Sequence, residues 1–503
     1  MRKIKNIARI TVFIVLLSVL LGATNHILEQ KDSAIGLKPF LDHAEEYDVL
    51  FFGDSLVRYG IYPMELYHKY GITAYNMGSS NCMLPMSYWK MMNALDYATP
   101  KVVVVSVSDA ENPNLVPGKG EWLHVALDAF PMTMTKAKAI FDLTSEAGAD
   151  KNGVSYRDIR SELFFPLKKY HSRWSSLGMA DFYPEYNTKK GAVIKVHVSD
   201  PQHEAEFVDE DECLPENGHG YIYLRRIIEA CQEKGIPVVL YHPPAPLLGH
   251  NHKGTHTAER IAAEYGVPML NMVDMNRVAD YYVDCADPGG HLNYSGVLKV
   301  TDFLGQYLKS HYELPDRRED AAYAHWDDEW NVYVDEKVNI IAEEADSLRS
   351  RLMLLHDESF NIILTVRPDF DYEDDRVKTA LQNIARVHVF EDDQLSSAEQ
   401  EPLISLDDAA DFNKGYMLIV DRDAENEYET VHEFYGIGEQ EFETSFGYVF
   451  CRMDGEWIDL SITQEEKETY YFDNWEEQKE DMRLILIDRR TGRPALIMAF
   501  SRK

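Results

Sequence analysis

A run of four valines constrains this chain most. Residues 101–107 read Lys-Val-Val-Val-Val-Ser-Val, bounded by Pro100 and Asp109. Consecutive β-branched residues favour a strand, because their two Cβ substituents crowd a helical turn. Apolarity without polar alternation requires burial on both faces, as in a central strand of a parallel sheet. Parallel strands need crossover connections, usually helices, and the flanking sequence supplies them. Residues 48–54 (DVLFFGD) predict a buried strand ending in a turn, followed by a helix over Pro63–Tyr70 and a second strand over Thr73–Met77. Residues 218–234 read as a helix and Ile236–Tyr241 as a strand stopped by His242-Pro243-Pro244. Helix 256–265, strand 267–271 and a helix over Tyr294–Leu308 complete an open parallel α/β sheet. Between about 112 and 215 an aromatic and charged insertion interrupts the pattern, with helical pieces at 133–143 and 156–175.

At 503 residues the chain is long enough for two or three domains. Its character changes after Pro315. Residues 316–345 read as an acidic, aromatic linker and the start of an amphipathic helix over 334–355. Residues 346–503 read as a mostly β, α+β accessory domain. Its strands are expected at 359–366, 385–390, 415–421, 445–452, 483–488 and 495–500, with a helix near 374–384 and turns at 423–429 and 488–492.

The N-terminus carries Arg2, Lys3, Lys5 and Arg9 and no acid, followed by the apolar run Ile10–Ala23. This predicts a short cytoplasmic tail over 1–6 and a transmembrane signal anchor over 7–24, with the bulk of the chain extracytoplasmic. Gly22-Ala23-Thr24-Asn25-His26 is a poor cleavage site, which favours an uncleaved anchor. Fifty Lys and Arg against 85 Asp and Glu leave a net charge of −35. That excludes a general nucleic-acid binder, which must neutralise phosphates. Five cysteines without CxxC spacing exclude a thiol redox motif or a zinc finger.

Three blocks carry chemistry. Gly53-Asp54-Ser55 leaves the first strand at its carboxyl end, where open α/β sheets bind ligands. There the Ser55 N–H, near a helix start, can face a developing oxyanion. Asn76-Met77-Gly78-Ser79-Ser80-Asn81 leaves the second strand, and Gly78 permits close backbone approach. Asp284 to Gly296 follows the last strand and contains Asp287 and His291. A histidine can take the serine proton and return it to a leaving group, and a neighbouring carboxylate orients the ring.

In this order the blocks make about residues 46–310, interrupted by the insertion, resemble the SGNH (GDSL-type) hydrolase superfamily, within an expected catalytic domain over 25–315. The resemblance implies a three-layer, flavodoxin-like sheet, with Ser55 as nucleophile, Asp287 and His291 completing a triad, and Gly78 in the oxyanion hole. The His-Leu-Asn-x-x-Gly ending at 291–296 further resembles membrane-anchored acyltransferase-like members of the lipoteichoic-acid D-alanylation and alginate O-acetylation type. Those members imply a polytopic membrane-bound O-acyltransferase as partner and a polysaccharide acceptor. Two positions depart from the family pattern. The family places its carboxylate three residues before the histidine, where this chain has Pro288. Asp287 is assigned the role, with Asp284 in reserve. The family's Gly-x-Asn-Asp block is Ser106-Val107-Ser108-Asp109 here. The oxyanion hole is therefore assigned to Ser55, Gly78 and Asn81.

No metal or cofactor is expected. His250, His252 and His256 form His-x-His-x-x-x-His in an expected loop, without a carboxylate to complete a zinc set. Tyr170 to Trp174 reads as helix packing, and the acidic runs at 204–212 and 422–430 as solvated loops. Two functions remain. One is an exported serine esterase or O-acyltransferase acting on an envelope or secreted polysaccharide. The other is a non-catalytic glycan-binding or scaffold partner of a membrane-bound O-acyltransferase. Every proposed site residue precedes residue 300, so residues 316–503 are expected to be dispensable for the chemistry.

Overall fold

The computed structural model describes residues 2–28, 31–182, 188–273, 279, 281–345, 347–366, 388–391, 394–397, 415–422, 430–453, 458–464, 469–472 and 482–500. Five short apolar runs form one sheet: β1 (Val49–Phe52), β2 (Ala74–Asn76), β3 (Val102–Ser106), β4 (Val238–His242) and β5 (Met269–Asn271). Their order is β2-β1-β3-β4-β5, all parallel, with the valine strand at the centre. The connecting helices pack in pairs. Helix α3 (Pro63–Tyr70) meets α7 (Tyr294–His311), and α4 (Leu84–Ala94), which the sequence reading missed, meets α5 (His219–Lys234). The short α2 (Ser55–Arg58) follows β1, and α6 (Gly249–Tyr265) joins β4 to β5. In the insertion, the helix expected over 156–175 divides into Tyr156–Phe164, Leu167–Tyr170 and a 3-10 turn. Pro166 causes the break, since it cannot donate a helical hydrogen bond.

Helix α1 (Arg2–Leu28) precedes the sheet, and its side chains Ile10, Phe13, Leu16 and Leu20 are exposed. Among the described residues, no helix is long and apolar enough to cross a membrane. The described residues therefore do not support the spanning segment expected over 7–24.

After residue 315 the chain enters α8 (His325–Glu344), nine residues earlier than the amphipathic pattern suggested. Trp326, Trp330, Tyr333, Val334, Lys337 and Ile341 make its buried stripe, with the three-to-four-residue spacing of one helical face. Five strands then form an antiparallel sheet: β6 (Phe360–Val366), β9 (Tyr416–Asp421), β10 (Thr430–Tyr435), β15 (Met482–Asp488) and β16 (Arg493–Phe500). Their order is β10-β9-β6-β15-β16. A second sheet holds β11 (Gly438–Thr444), β12 (Gly447–Met453), β13 (Ile458–Thr463) and β14 (Thr469–Tyr471). A hairpin pairs β7 (His388–Glu391) with β8 (Gln394–Ser397). The helix expected near 374–384 and the turn at 423–429 lie outside the described residues.

The two-residue period of a strand explains how the middle sheet is used. Ile362, Leu364, Val366, Leu418, Val420, Leu484 and Leu486 join one continuous core with α8 and the parallel sheet. Their alternates Ile363, Met417, Ile419, Ile485 and Ile487 face Val449, Cys451, Leu460 and Ile462 of the second sheet. The boundary near 315 is thus a change of pattern without a break in the core. At the junction the buried Lys337 ammonium bonds Glu65 on α3 at 3.1 Å, Asp357 at 3.2 Å and Ser359 at 2.8 Å. A buried charge is tolerated only when paired in this way. Tyr294, the first residue of α7, donates to the same Asp357 carboxylate.

Candidate active site

Strand β1 delivers the first block. Gly53 is required where it stands, because an added Cβ would lie 2.4 Å from Val57 and 2.8 Å from the Ser106 Cβ. Asp54 then caps α2, accepting from the Leu56 N–H at 2.9 Å. Ser55 opens the helix, so its N–H is among the donors without an intrahelical acceptor. Its Oγ lies 2.8 Å from His291 Nε2. On the other side of the ring, Nδ1 lies 2.9 Å from Asp287 Oδ1 and 3.0 Å from Oδ2. Residues 236 positions apart therefore meet in the order serine, imidazole, carboxylate.

The loop that carries His291 is built by its own sequence. Cys285 and Leu292 form an isolated bridge, and the Ala286 N–H donates to the His291 carbonyl at 2.7 Å. Asp287 Oδ1 accepts the Gly289 N–H at 3.1 Å, closing the turn at Pro288-Gly289-Gly290. Asn293 caps α7 by accepting the Gly296 N–H at 3.2 Å and donates to the Val283 carbonyl at 2.6 Å. Gly296 fits because a Cβ there would meet Asp284 at 2.9 Å. The His-Leu-Asn-x-x-Gly spacing thus fixes where the helix begins relative to the imidazole.

Asp284, the reserve carboxylate, is engaged elsewhere. It is fully buried and paired with Lys299 at 2.8 and 3.0 Å. Asp287 has a second partner that no sequence signal pointed to. Lys195, on the return limb of the insertion, reaches Asp287 Oδ2 at 2.6 Å. Its ammonium also lies 4.1 Å from the Tyr59 ring centroid, and that ring meets His291 edge-on at 5.2 Å. The limb is stitched along the loop: Tyr294 donates to the Lys195 carbonyl at 2.7 Å, Ser199 to Cys285 at 2.9 Å and Gln202 to Pro288 at 2.9 Å. Burial pushes the Asp287 carboxyl up, but hydrogen bonds from Lys195 and His291 and their positive charge outweigh it and hold the group below the ordinary range.

The assigned oxyanion donors fare differently. The Gly78 N–H donates to Asn76 Oδ1 at 2.9 Å, so it is already engaged. Gly78 is instead needed for packing, since a Cβ would lie 2.5 Å from the Arg58 nitrogen. The Asn76 amide holds α2 through the Val57 and Ile61 carbonyls at 2.8 and 3.0 Å. Asn81 is exposed, in the left-handed region at φ 52°, and lines a cavity of about 250 Å³ with Asp54, Met83, Asp109, Asn112, Asn114 and Lys151. That cavity adjoins the residue before Ser55. A larger cavity of about 620 Å³, lined by Tyr88, Trp89, Phe141 and Arg226, touches none of the triad.

An acidic group underlies the serine. Burial raises the Asp54 carboxyl, with hydrogen bonds from Leu56 and Ser108 opposing. Burial, then the charges of Asp54 and Glu111, raise Asp109 well above its ordinary range. Asp109 Oδ2 has no hydrogen-bond partner among the described residues. Ser108 thus serves Asp54 and accepts from Ser106 Oγ at 3.0 Å. The histidines expected in a loop lie on α6, where His252 and His256 meet the backbone carbonyls of Glu206 and Glu212 at 3.1 and 3.3 Å. No family model and no curated protein compared with this chain matches it.

Proposed function

We propose that this protein is an SGNH-type serine esterase or O-acyltransferase. The carrying observation is the unbroken relay Ser55–His291–Asp287, with contacts of 2.8 and 2.9 Å. Ser55 Oγ attacks the acyl carbon of an ester as its proton passes to His291 Nε2. Asp287 stays ionised and stabilises the imidazolium. The ester C–O bond then breaks and the leaving alkoxide takes the proton from His291, leaving an acyl-serine. A second hydroxyl, from a sugar or from water, reverses these steps and carries the acyl group away. The donor available to the oxyanion is the Ser55 N–H, with the Asn81 amide in the adjoining cavity. The flavodoxin-like order of the parallel sheet supports the superfamily reading, since ligands in such sheets bind at the ends of β1 and β3.

A membrane-anchored placement with the bulk of the chain outside rests on the basic start and apolar run of residues 2–23 alone. A polysaccharide acceptor and a polytopic O-acyltransferase partner accompany that reading. One observation favours the second reading, a non-catalytic scaffold for such a partner: two family oxyanion positions, Gly78 and Ser108, are committed to internal bonds. A fluorophosphonate separates the two. Labelling of the wild-type chain, abolished in Ser55→Ala, is expected for the enzyme. A folded wild-type chain that resists labelling overturns it.

A further inference from the structure

Away from the serine, a second cluster joins two distant parts of the chain. His43 and Glu46 bracket the short 3-10 turn before β1, and His325 begins α8. The three offer donor atoms that all lie within 4.8 Å of one another. His43 Nδ1 is 2.8 Å from Glu46 Oε1, and His325 Nε2 is 2.9 Å from Glu46 Oε2. The two imidazoles stack at 5.6 Å with an interplanar angle of 25°, so that one nitrogen of each faces the same carboxylate.

We propose that His43, Glu46 and His325 form a three-ligand site for a divalent transition metal of the Zn2+ class. Two imidazoles and a carboxylate are a donor set that such borderline ions prefer. Zinc bonds of about 2.0–2.2 Å require donors slightly farther apart than hydrogen-bond contact. All three side chains are half-buried, so a small opening accommodates the ion and leaves room for water as a fourth ligand. Groups behind the ligands hold Glu46 in place. Trp326 Nε1 donates to Glu46 Oε2 at 3.2 Å, and Thr73 Oγ1 donates to the Glu46 carbonyl at 2.7 Å. Such outer contacts orient metal ligands. His252 and His256 on α6 differ, because their Nδ1 atoms already face backbone carbonyls.

The site is structural in consequence. It clasps the segment entering the parallel sheet to the helix leading into the antiparallel one, across 279 residues. A bound ion stabilises the folded chain by mass action. The test is calorimetric titration of Zn2+ into the chelator-treated full-length protein, with thermal melts in parallel. One equivalent per chain is expected, with a melting point that rises with Zn2+. In His325→Gln and Glu46→Gln, affinity falls at least about tenfold and the thermal shift disappears. Because Glu46 also holds Trp326, His43→Gln serves as a third variant, and all are melted without metal to verify folding. Absence of saturable binding overturns the proposal. So does binding that survives in folded His43→Gln and His325→Gln but is lost in His252→Gln.

Discussion

Asp284 and Asp287 lie three positions apart and serve different cations. Asp284 neutralises Lys299 in the interior, whereas Asp287 is shared by Lys195 and His291. Their replacements should therefore fail in different assays. Asp287→Asn is expected to lower ester turnover by roughly 10⁴-fold, as loss of the orienting carboxylate does in such relays, with little change in melting. Asp284→Asn leaves a nearly buried ammonium uncompensated and should cost about 3–5 kcal/mol of stability. Turnover and urea unfolding of both variants check this. Asp109 offers a pH test. Its folded-state carboxyl is raised, so folding binds a proton and stability falls as pH climbs from the unfolded value of about 3.9 towards the folded one. Asp109→Asn should remove that loss, with a gain of about 1–3 kcal/mol at neutral pH from removing a buried charge that lacks a full set of partners. Urea unfolding at acid and neutral pH measures it, and equal slopes in both proteins would refute it. The positions of Ser55 and His291 were legible because each stands beside a turn that a strand or helix end demands. Lys195 was not, since an ion pair across 92 residues leaves no local pattern. The sequence also hid the fate of Gly78: glycine marks close approach, but not that a neighbouring asparagine takes its N–H.

Among the elements, the parallel strands were readable because burial on both faces leaves an unbroken apolar run, as in Val102–Ser106. The helix Leu84–Ala94 was missed because it is buried nearly all round, including Lys90 and Asn93, and so shows no clear polar face. Helix α8 was placed too late because its first buried residues are Trp326 and Trp330, set among acids that resemble a linker. The start of α7 matters most for the chemistry, because it sets the height of His291 above the sheet. Asn293→Ala removes the cap and the bond to Val283. It should cost about 1 kcal/mol in urea unfolding and reduce ester turnover more than a change of the same size elsewhere on α7. A stability loss without a disproportionate activity loss would show that the cap does not position the imidazole.

For the molecule as a whole, the expectation that residues 316–503 are dispensable meets a continuous core. A chain ending at residue 314 lacks Lys337 and Asp357, so Glu65 loses its cation and Tyr294 its acceptor. It also exposes the surface of α3 that α8 covers. Such a truncation is expected to melt without a cooperative transition and to resist the fluorophosphonate. A cooperative melt with full labelling would show that the parallel-sheet unit stands alone. The pattern change at 315 was legible in composition, but whether two units share a core depends on what covers each face of β6, and both its faces are buried. The link from Tyr294 to Asp357 also sets an order in time. Synthesis runs from the N-terminus, so Ser55 emerges long before His291, and the helix behind His291 gains its buried acceptor only once the chain has passed residue 357. A nascent chain thus holds Ser55 for nearly half its synthesis before the imidazole that faces it is made, and the support behind that imidazole comes later still.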